Sequence, residues 1–436
     1  MLSSVLRLAI VAIFLSSSCA IAQDMTPRVS APCVAVKQSA DSGIGEKIKA
    51  LSTKADDLKA QIAKLSKEQE RIAVDKQLKD IQEQLLDLVF EQECTRSDLT
   101  IQVLRGPNDP PTKWIEITTY FATNRKPTGS TAPEDFFGAE RASDNQVGKT
   151  IVSIPTARKP GELNLPSLWR FELSPDPSKH FVFKQVVPLD SATATSEIAK
   201  ELAKKSSLLV FVHGYNVSFA DAALRTAQLA HDLSFPGTAV FFSWPSAGTT
   251  KGYWHDEEAV ELSESAFDSF LDKIAGLGAS EVFLIAHSMG NRLVMTVLED
   301  RASKGKTIPN LREVMLAAPD INAEIFREKI IPGLAALNVH RTIYASSSDV
   351  ALRASKIVHD YRRVGETAGG VQTFNGFETV DATSVAPVIR SFGHSYVVDS
   401  TKVLGDIADT LYLHFNADQR SLPKEGTPPE NWWVLK

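Results

Sequence analysis

From Leu208 onward the chain alternates short apolar runs with stretches of helical length, and this alternation restricts its fold more than any other feature. The runs Leu208 to Val212, Thr238 to Ser243, Val282 to Ala286 and Glu313 to Ala317 read as strands. Between them, Ala220 to Leu233, Glu257 to Leu277 and Asn291 to Glu299 read as helices, the first opened by the capping pair Ser218 and Asp221. Strands that alternate with helices of this length predict an α/β fold, a mostly parallel sheet with helices on both faces. Strand-like runs at Ile115 to Phe121, Thr150 to Ile154 and Phe181 to Val187 precede this region, and Thr401 to Leu413 reads as a late helix.

The full chain of 436 residues has room for such a domain and one smaller region. Its 43% hydrophobic and 23% charged residues are those of a globular protein. A net charge of −6, with no long basic run, argues against nucleic acid as the main partner, because phosphate binding needs a concentrated basic face.

Residues 1–22 follow an export pattern: Arg7, the apolar run Leu8 to Leu15, small residues, and Ala20-Ile21-Ala22 as a cleavage site. A periplasmic or secreted protein is expected. Cys19 also stands where a lipoprotein would be processed, which leaves lipid anchoring as a second possibility. Removal of the leader leaves Cys33 and Cys94, which are expected to pair in an oxidising compartment.

Residues 23–105 are expected to form a helical hairpin or a coiled coil. Ile44, Ile48, Leu51, Ala55, Leu58, Ile62, Leu65 and Ile72 keep a heptad spacing, and Leu78, Ile81, Leu85 and Leu88 continue it in a shifted phase. The shift fits either a stutter in one long, dimerising helix or the reversal of a hairpin. Disulfide-bonded Cα atoms lie within about 7 Å. An intrachain bridge between Cys33 and Cys94 therefore requires the hairpin, whereas the long helix makes residues 44–92 a site for self-association or for an envelope partner. Residues 106–113, with Gly106-Pro107 and Pro110-Pro111, read as a linker to the strand–helix domain over 114–436.

The chemistry concentrates at Ala286-His287-Ser288-Met289-Gly290, which joins an apolar strand directly to a helix. This is the nucleophile-elbow pattern G-x-S-x-G with Ala in the first glycine position. Small residues two before and two after the serine are needed because the turn is tight. It presents the Ser288 hydroxyl at the carboxyl ends of the strands and leaves the Met289 N–H facing an oxyanion. A second donor is expected from Phe211-Val212-His213-Gly214-Tyr215-Asn216, where Gly214 turns the backbone so that the Tyr215 N–H meets the same point, and Asn216 braces the loop or donates itself. A hydroxyl needs a base, which in this chain order follows an acid. His394, in Gly393-His394-Ser395-Tyr396, fits better than His340, at a strand start, or His359, inside a predicted helix. Asp349 and Asp320 both follow apolar strands and are the candidate acids, Asp349 being preferred because it follows the next strand along. Trp244 and Pro245 end a strand on the same side, and Trp244 is a candidate for lining the acyl pocket.

These pieces, with Tyr120-Phe121-Ala122-Thr123-Asn124-Arg125, Phe242-Ser243-Trp244-Pro245-Ser246 and Ala318-Pro319-Asp320-Ile321, resemble a bacterial α/β-hydrolase family long catalogued as a domain of unknown function. The resemblance implies the α/β-hydrolase fold and esterase- or lipase-like chemistry, and it supplies no substrate. A serine hydrolase acting on a small-molecule or lipid acyl substrate is expected, with no cofactor. No metal is expected either, since His213, His231, His255 and His287 lack the spacing of a zinc cluster. A binding or assembly protein that keeps this fold as a scaffold is the alternative from another class.

Overall fold

The computed structural model describes residues 44–62, 113–165, 175–249, 252–349, 361–385 and 396–436, together with Leu352 and isolated positions from 64 to 84. The expected leader, Cys19, Cys33, Cys94, His359 and His394 lie outside the described residues.

Helix α1 (Ile44–Ile62) precedes the sheet domain. Strands β1 (Trp114–Pro127), β2 (Phe137–Pro155) and β3 (Val182–Leu189) form an antiparallel meander, followed by α2 (Ser191–Leu202). The alternating core follows: β4 (Ser207–Val212), α3 (Phe219–Asp232), β5 (Thr238–Ser243), α4 (Tyr253–Glu261), α5 (Glu264–Ala275), β6 (Glu281–His287), α6 (Gly290–Ser303) and β7 (Leu311–Ala317). It continues with β8 (His340–Ala345), β9 (Glu378–Asp381) and α7 (Thr401–Leu413), and closes on the hairpin β10 (Lys424–Thr427) and β11 (Glu430–Val434). Among the described residues these strands form one eleven-stranded sheet in the order β10-β11-β9-β8-β7-β6-β4-β5-β1-β2-β3. Every neighbouring pair from β9 across to β1 is parallel, as the strand–helix alternation predicts.

The central strands are apolar on both faces, and their period of two divides them between two cores. Leu208, Val210, Val212, Leu284, Ala286, Val314 and Leu316 pack on one side, and Leu209, Phe211, Phe283, Ile285, Met315 and Ala317 on the other. Helix α3 begins where Ser218 and Asp221 form a reciprocal capping box. The single helix expected over Glu257 to Leu277 is two. Ser263 is fully buried at the break, where its hydroxyl returns to the Ala259 carbonyl at 2.6 Å and accepts the Asn124 side-chain amide at 2.9 Å. A polar anchor in the sheet thus bends the chain at a position that helical spacing does not mark.

Leu58 and Ile81 are buried together, packed against Leu51, Val74 and Leu413 of α7. Among the described residues no helix is long and apolar enough to cross a membrane.

Candidate functional site

Strand β4 lies between β5 and β6, so the chain leaves its carboxyl end toward one side and later returns on the other. Such a reversal opens a crevice where open α/β sheets place their ligands. Val212 pairs with Ala286, which brings the loops after β4 and β6 to one level. There Ser288 has φ +52°, a left-handed conformation that side chains rarely adopt and that persists only where its surroundings impose it. Its N–H is bonded to Ala317 O at 2.9 Å. Its carbonyl accepts the Asn291 N–H at 3.1 Å, the Asn291 side-chain amide at 3.0 Å and the Asp320 N–H at 3.3 Å. In the sequence, Asn291 has no role beyond starting a helix, yet its amide also reaches Ala317 O at 3.2 Å and ties the elbow to β7.

The two glycines that the pattern singles out are required by close backbone approach. A Cβ on Gly214 would stand 2.6 Å from Ser288 Cβ and 2.8 Å from His287 O. A Cβ on Gly290 would stand 2.2 Å from His213 O. The loop carrying Tyr215 is therefore in contact with the turn carrying Ser288 and Met289. Met289 is buried at the start of α6, and Tyr215 packs edge-on to Tyr253 with ring centroids 5.3 Å apart.

Three side chains hold the Tyr215 loop from behind. His213 is buried, with Nδ1 2.9 Å from Gly214 O and Nε2 3.0 Å from Ser243 Oγ. Burial, with the nearby Arg125 cation second, pushes its imidazole down to about 3, so the ring is neutral at physiological pH. Arg125 is also buried and donates to Ser243 Oγ (2.9 Å), Gly138 O (3.0 Å), Ser246 O (2.9 Å) and Val217 O (2.8 Å). Burial lowers its guanidinium to about 9, against the pull of Asp256 and Asp221. Asp256 accepts the N–H groups of Asn216 (3.0 Å) and Ala247 (2.7 Å) and the Ser246 hydroxyl (2.6 Å), joining the loops after β4 and β5. The Asn216 backbone is itself left-handed, φ +56°. Of these, Arg125 and Ser243 stood in sequence pieces with no derived role, and Asp256 carried no signal at all.

Trp244 is fully buried, gives its indole N–H to His213 O at 2.8 Å and stacks on the His213 ring at 5.0 Å. Those contacts put it behind the loop as a brace.

The two candidate acids occupy different surroundings. Asp320 is buried amid cations: Arg292 Nη2 lies 2.9 Å from Oδ2, Arg363 Nε 3.1 Å from Oδ1, and the Tyr253 hydroxyl donates to Oδ2 at 3.1 Å. Arg292 in turn pairs with Glu257 at 2.6 Å, and these carboxylates outweigh its burial and raise its pKa. Asp349 is fully buried just past β8 and accepts the Leu352 N–H at 3.0 Å. The rival base His340 opens β8 at the opposite end of the sheet. It is paired in register with Glu313, which faces Phe283, and five residues of strand from there to Ser288 span about 16 Å. Its ring nitrogens meet Glu313 and, at 2.9 Å, Glu378.

Among the described residues no group of three or more His, Cys, Asp or Glu side chains is arranged to hold a metal ion.

Residues 190–411 match the family model described as alpha/beta hydrolase of unknown function (DUF900). No curated protein matches the chain. Similar solved structures include Aspergillus fumigatus lipase B (11% identity over 47% of this chain and 52% of the lipase, TM-score 0.31). They also include a Pyrobaculum calidifontis esterase (14% identity, 77% of this chain and 97% of the esterase, TM-score 0.32) and the phospholipase PlaB from Legionella pneumophila (12%, 53% and 68%, TM-score 0.28). The chain spans about half the length of the lipase. The family match covers half of the sequence, and the strand order, mostly parallel with helices between the strands, agrees with it. The chain belongs to the DUF900 family of alpha/beta hydrolases.

Proposed function

We propose that this hydrolase is a serine esterase or lipase-type enzyme that cleaves an ester or similar acyl bond through an acyl-enzyme. Ser288 attacks the carbonyl carbon, His394 takes its proton and returns it to the leaving group, and Asp349 orients the imidazole and stabilises its cation. The N–H groups of Tyr215 and Met289 hold the oxyanion. Water then attacks the acyl-enzyme by the same proton path in reverse and frees the acid. The observation that carries this reading is the left-handed Ser288 with the Gly214 loop in backbone contact beside it. Strain of this kind is kept where the surrounding structure over-determines it. Asp349 is favoured over Asp320 because two arginines and a tyrosine hydroxyl already engage the Asp320 carboxylate. His394 completes the chain order of acid before base.

A fluorophosphonate probe tests the reading. Labelling of wild type that vanishes in Ser288→Ala supports it, and a well-folded wild type that stays unlabelled favours the scaffold alternative. The acyl substrate is a small molecule or a lipid. A panel of esters of increasing chain length reads out which.

Export to the periplasm or beyond and the division into a leader, a helical unit over 23–105 and a hydrolase domain over 114–436 belong to the same proposal. The shared cluster of Leu58 and Ile81 supports a hairpin, since 23 residues of unbroken helix would hold them about 35 Å apart. A hairpin also suits a Cys33–Cys94 bridge, and non-reducing electrophoresis separates an intrachain bridge from one between copies.

A further inference from the structure

We propose that His213 is a positioning residue for the oxyanion hole, orienting the Gly214–Tyr215 peptide through a hydrogen-bond relay that starts at Arg125 and passes through Ser243. The inference rests on the serine-hydrolase reading above and adds to it how one oxyanion donor is aimed.

The relay has a direction. Arg125 is only a donor, so its Nε–H fills an acceptor position on Ser243 Oγ at 2.9 Å. The Ser243 hydroxyl proton is then available to His213 Nε2 at 3.0 Å. With Nε2 accepting, the neutral ring carries its proton on Nδ1 and donates it to Gly214 O at 2.9 Å. Gly214 O and the Tyr215 N–H are the two ends of one planar peptide and point in opposite directions. Holding the carbonyl against His213 therefore sets the direction of the N–H on the other edge.

The surroundings suppress other orientations. The His213 ring is stacked on Trp244, and the Trp244 indole N–H holds the His213 carbonyl at 2.8 Å. Arg125 pins the far end of the loop by donating to Val217 O at 2.8 Å. Arg125, Ser243 and His213 are all buried, and removing three polar side chains from water is costly, whereas apolar side chains of the same size would fill the space without that cost. A relay that fixes a proton on one ring nitrogen gives these polar groups a purpose that packing does not.

The test uses two substitutions that each keep half of the imidazole. In His213→Asn the side-chain amide nitrogen falls where Nδ1 was and keeps the bond to Gly214 O. In His213→Gln it falls near Nε2 and keeps only the bond to Ser243. Rates of p-nitrophenyl acetate hydrolysis and of fluorophosphonate labelling are measured on the full chain, with thermal unfolding of each variant. His213→Gln is expected to lower kcat by about 10²–10³ with KM changed less than about threefold, the loss typical of one oxyanion donor, and His213→Asn to recover most of it. Ser243→Ala, a small change that leaves the packing in place, is expected to lower kcat about tenfold at unchanged KM by releasing the tautomer. The limbs of the pH–rate profile should stay where they are in wild type, since the base is untouched. Equal losses in the two His213 variants, or wild-type kcat in Ser243→Ala, overturn the relay while leaving the serine-hydrolase reading standing. A folded wild type that neither hydrolyses nor labels overturns both.

Discussion

Replacing Asp349 and Asp320 one at a time by asparagine separates orienting a base from holding a loop. The Asp349→Asn variant would keep one side-chain oxygen to accept the Leu352 N–H, and would lose the negative charge and turn the other oxygen, an acceptor, into an N–H donor. If that charge steadies the imidazolium, kcat should fall by about 10³–10⁴, or roughly 4–5.5 kcal/mol of transition-state stabilisation. The fold should barely change, with Tm within about 3 °C of wild type. Asp320→Asn should do the reverse. Its carboxylate holds Arg292 at 2.9 Å and Arg363 at 3.1 Å, and the Arg363 side chain is only 5% exposed, so neutralising it leaves a buried cation poorly compensated. Breaking a buried pair costs about 3–5 kcal/mol. Arg292 keeps Glu257, so a value near 3 kcal/mol is expected, a fall of about 6–12 °C in Tm at 2–4 °C per kcal/mol. Its kcat should change less than about tenfold. The assay is initial-rate ester hydrolysis normalised to the fraction of Ser288 titrated by a fluorophosphonate, beside differential scanning calorimetry. An Asp320→Asn protein that loses more than about 10³ in kcat at unchanged Tm, with Asp349→Asn near wild type, would refute the assignment.

Two further predictions concern stability. Because Ser288 is held at φ +52°, Ser288→Gly should be more stable than Ser288→Ala by about 1 kcal/mol, read as a higher Tm, and equal values would mean that the elbow is unstrained. At the far end of the sheet, burial pushes the His340 imidazole down, but Glu313 and Glu378 outweigh it and raise it to about 9. A histidine whose folded pKa lies above its unfolded value of about 6.5 contributes stability in full below that value and loses it as pH climbs toward 9. Wild-type Tm should therefore fall more steeply than that of His340→Gln between pH 6.5 and 9.5. Parallel curves would show that the ion pairs contribute nothing.

The strand–helix alternation was legible because it is local. A period of two with both faces apolar and a period near 3.6 are written in neighbouring residues, and β5 runs over the residues expected, Thr238–Ser243. The elbow was legible for the same reason: a turn between Ala286 and Gly290 leaves its mark within five residues. The break at Ser263 was not, because it is made by Asn124, 139 residues away in β1.

By itself, then, the sequence determined the class of fold and the place of Ser288 in a tight strand-to-helix turn, since each depends on short-range patterning and on which residues tolerate such a turn. Only the tertiary structure decided what stands around it. Arg125, Ser243 and His213 meet from three strand ends, and Asp256 joins two loops. Asp320 became an ion-pair centre only when Arg292 and Arg363 arrived from elsewhere in the chain. Such contacts are set by how strands are ordered in the sheet. A charge or an imidazole buried by that ordering has no spacing of its own to announce it, and its cost is met only by partners that the folded chain brings within about 3 Å.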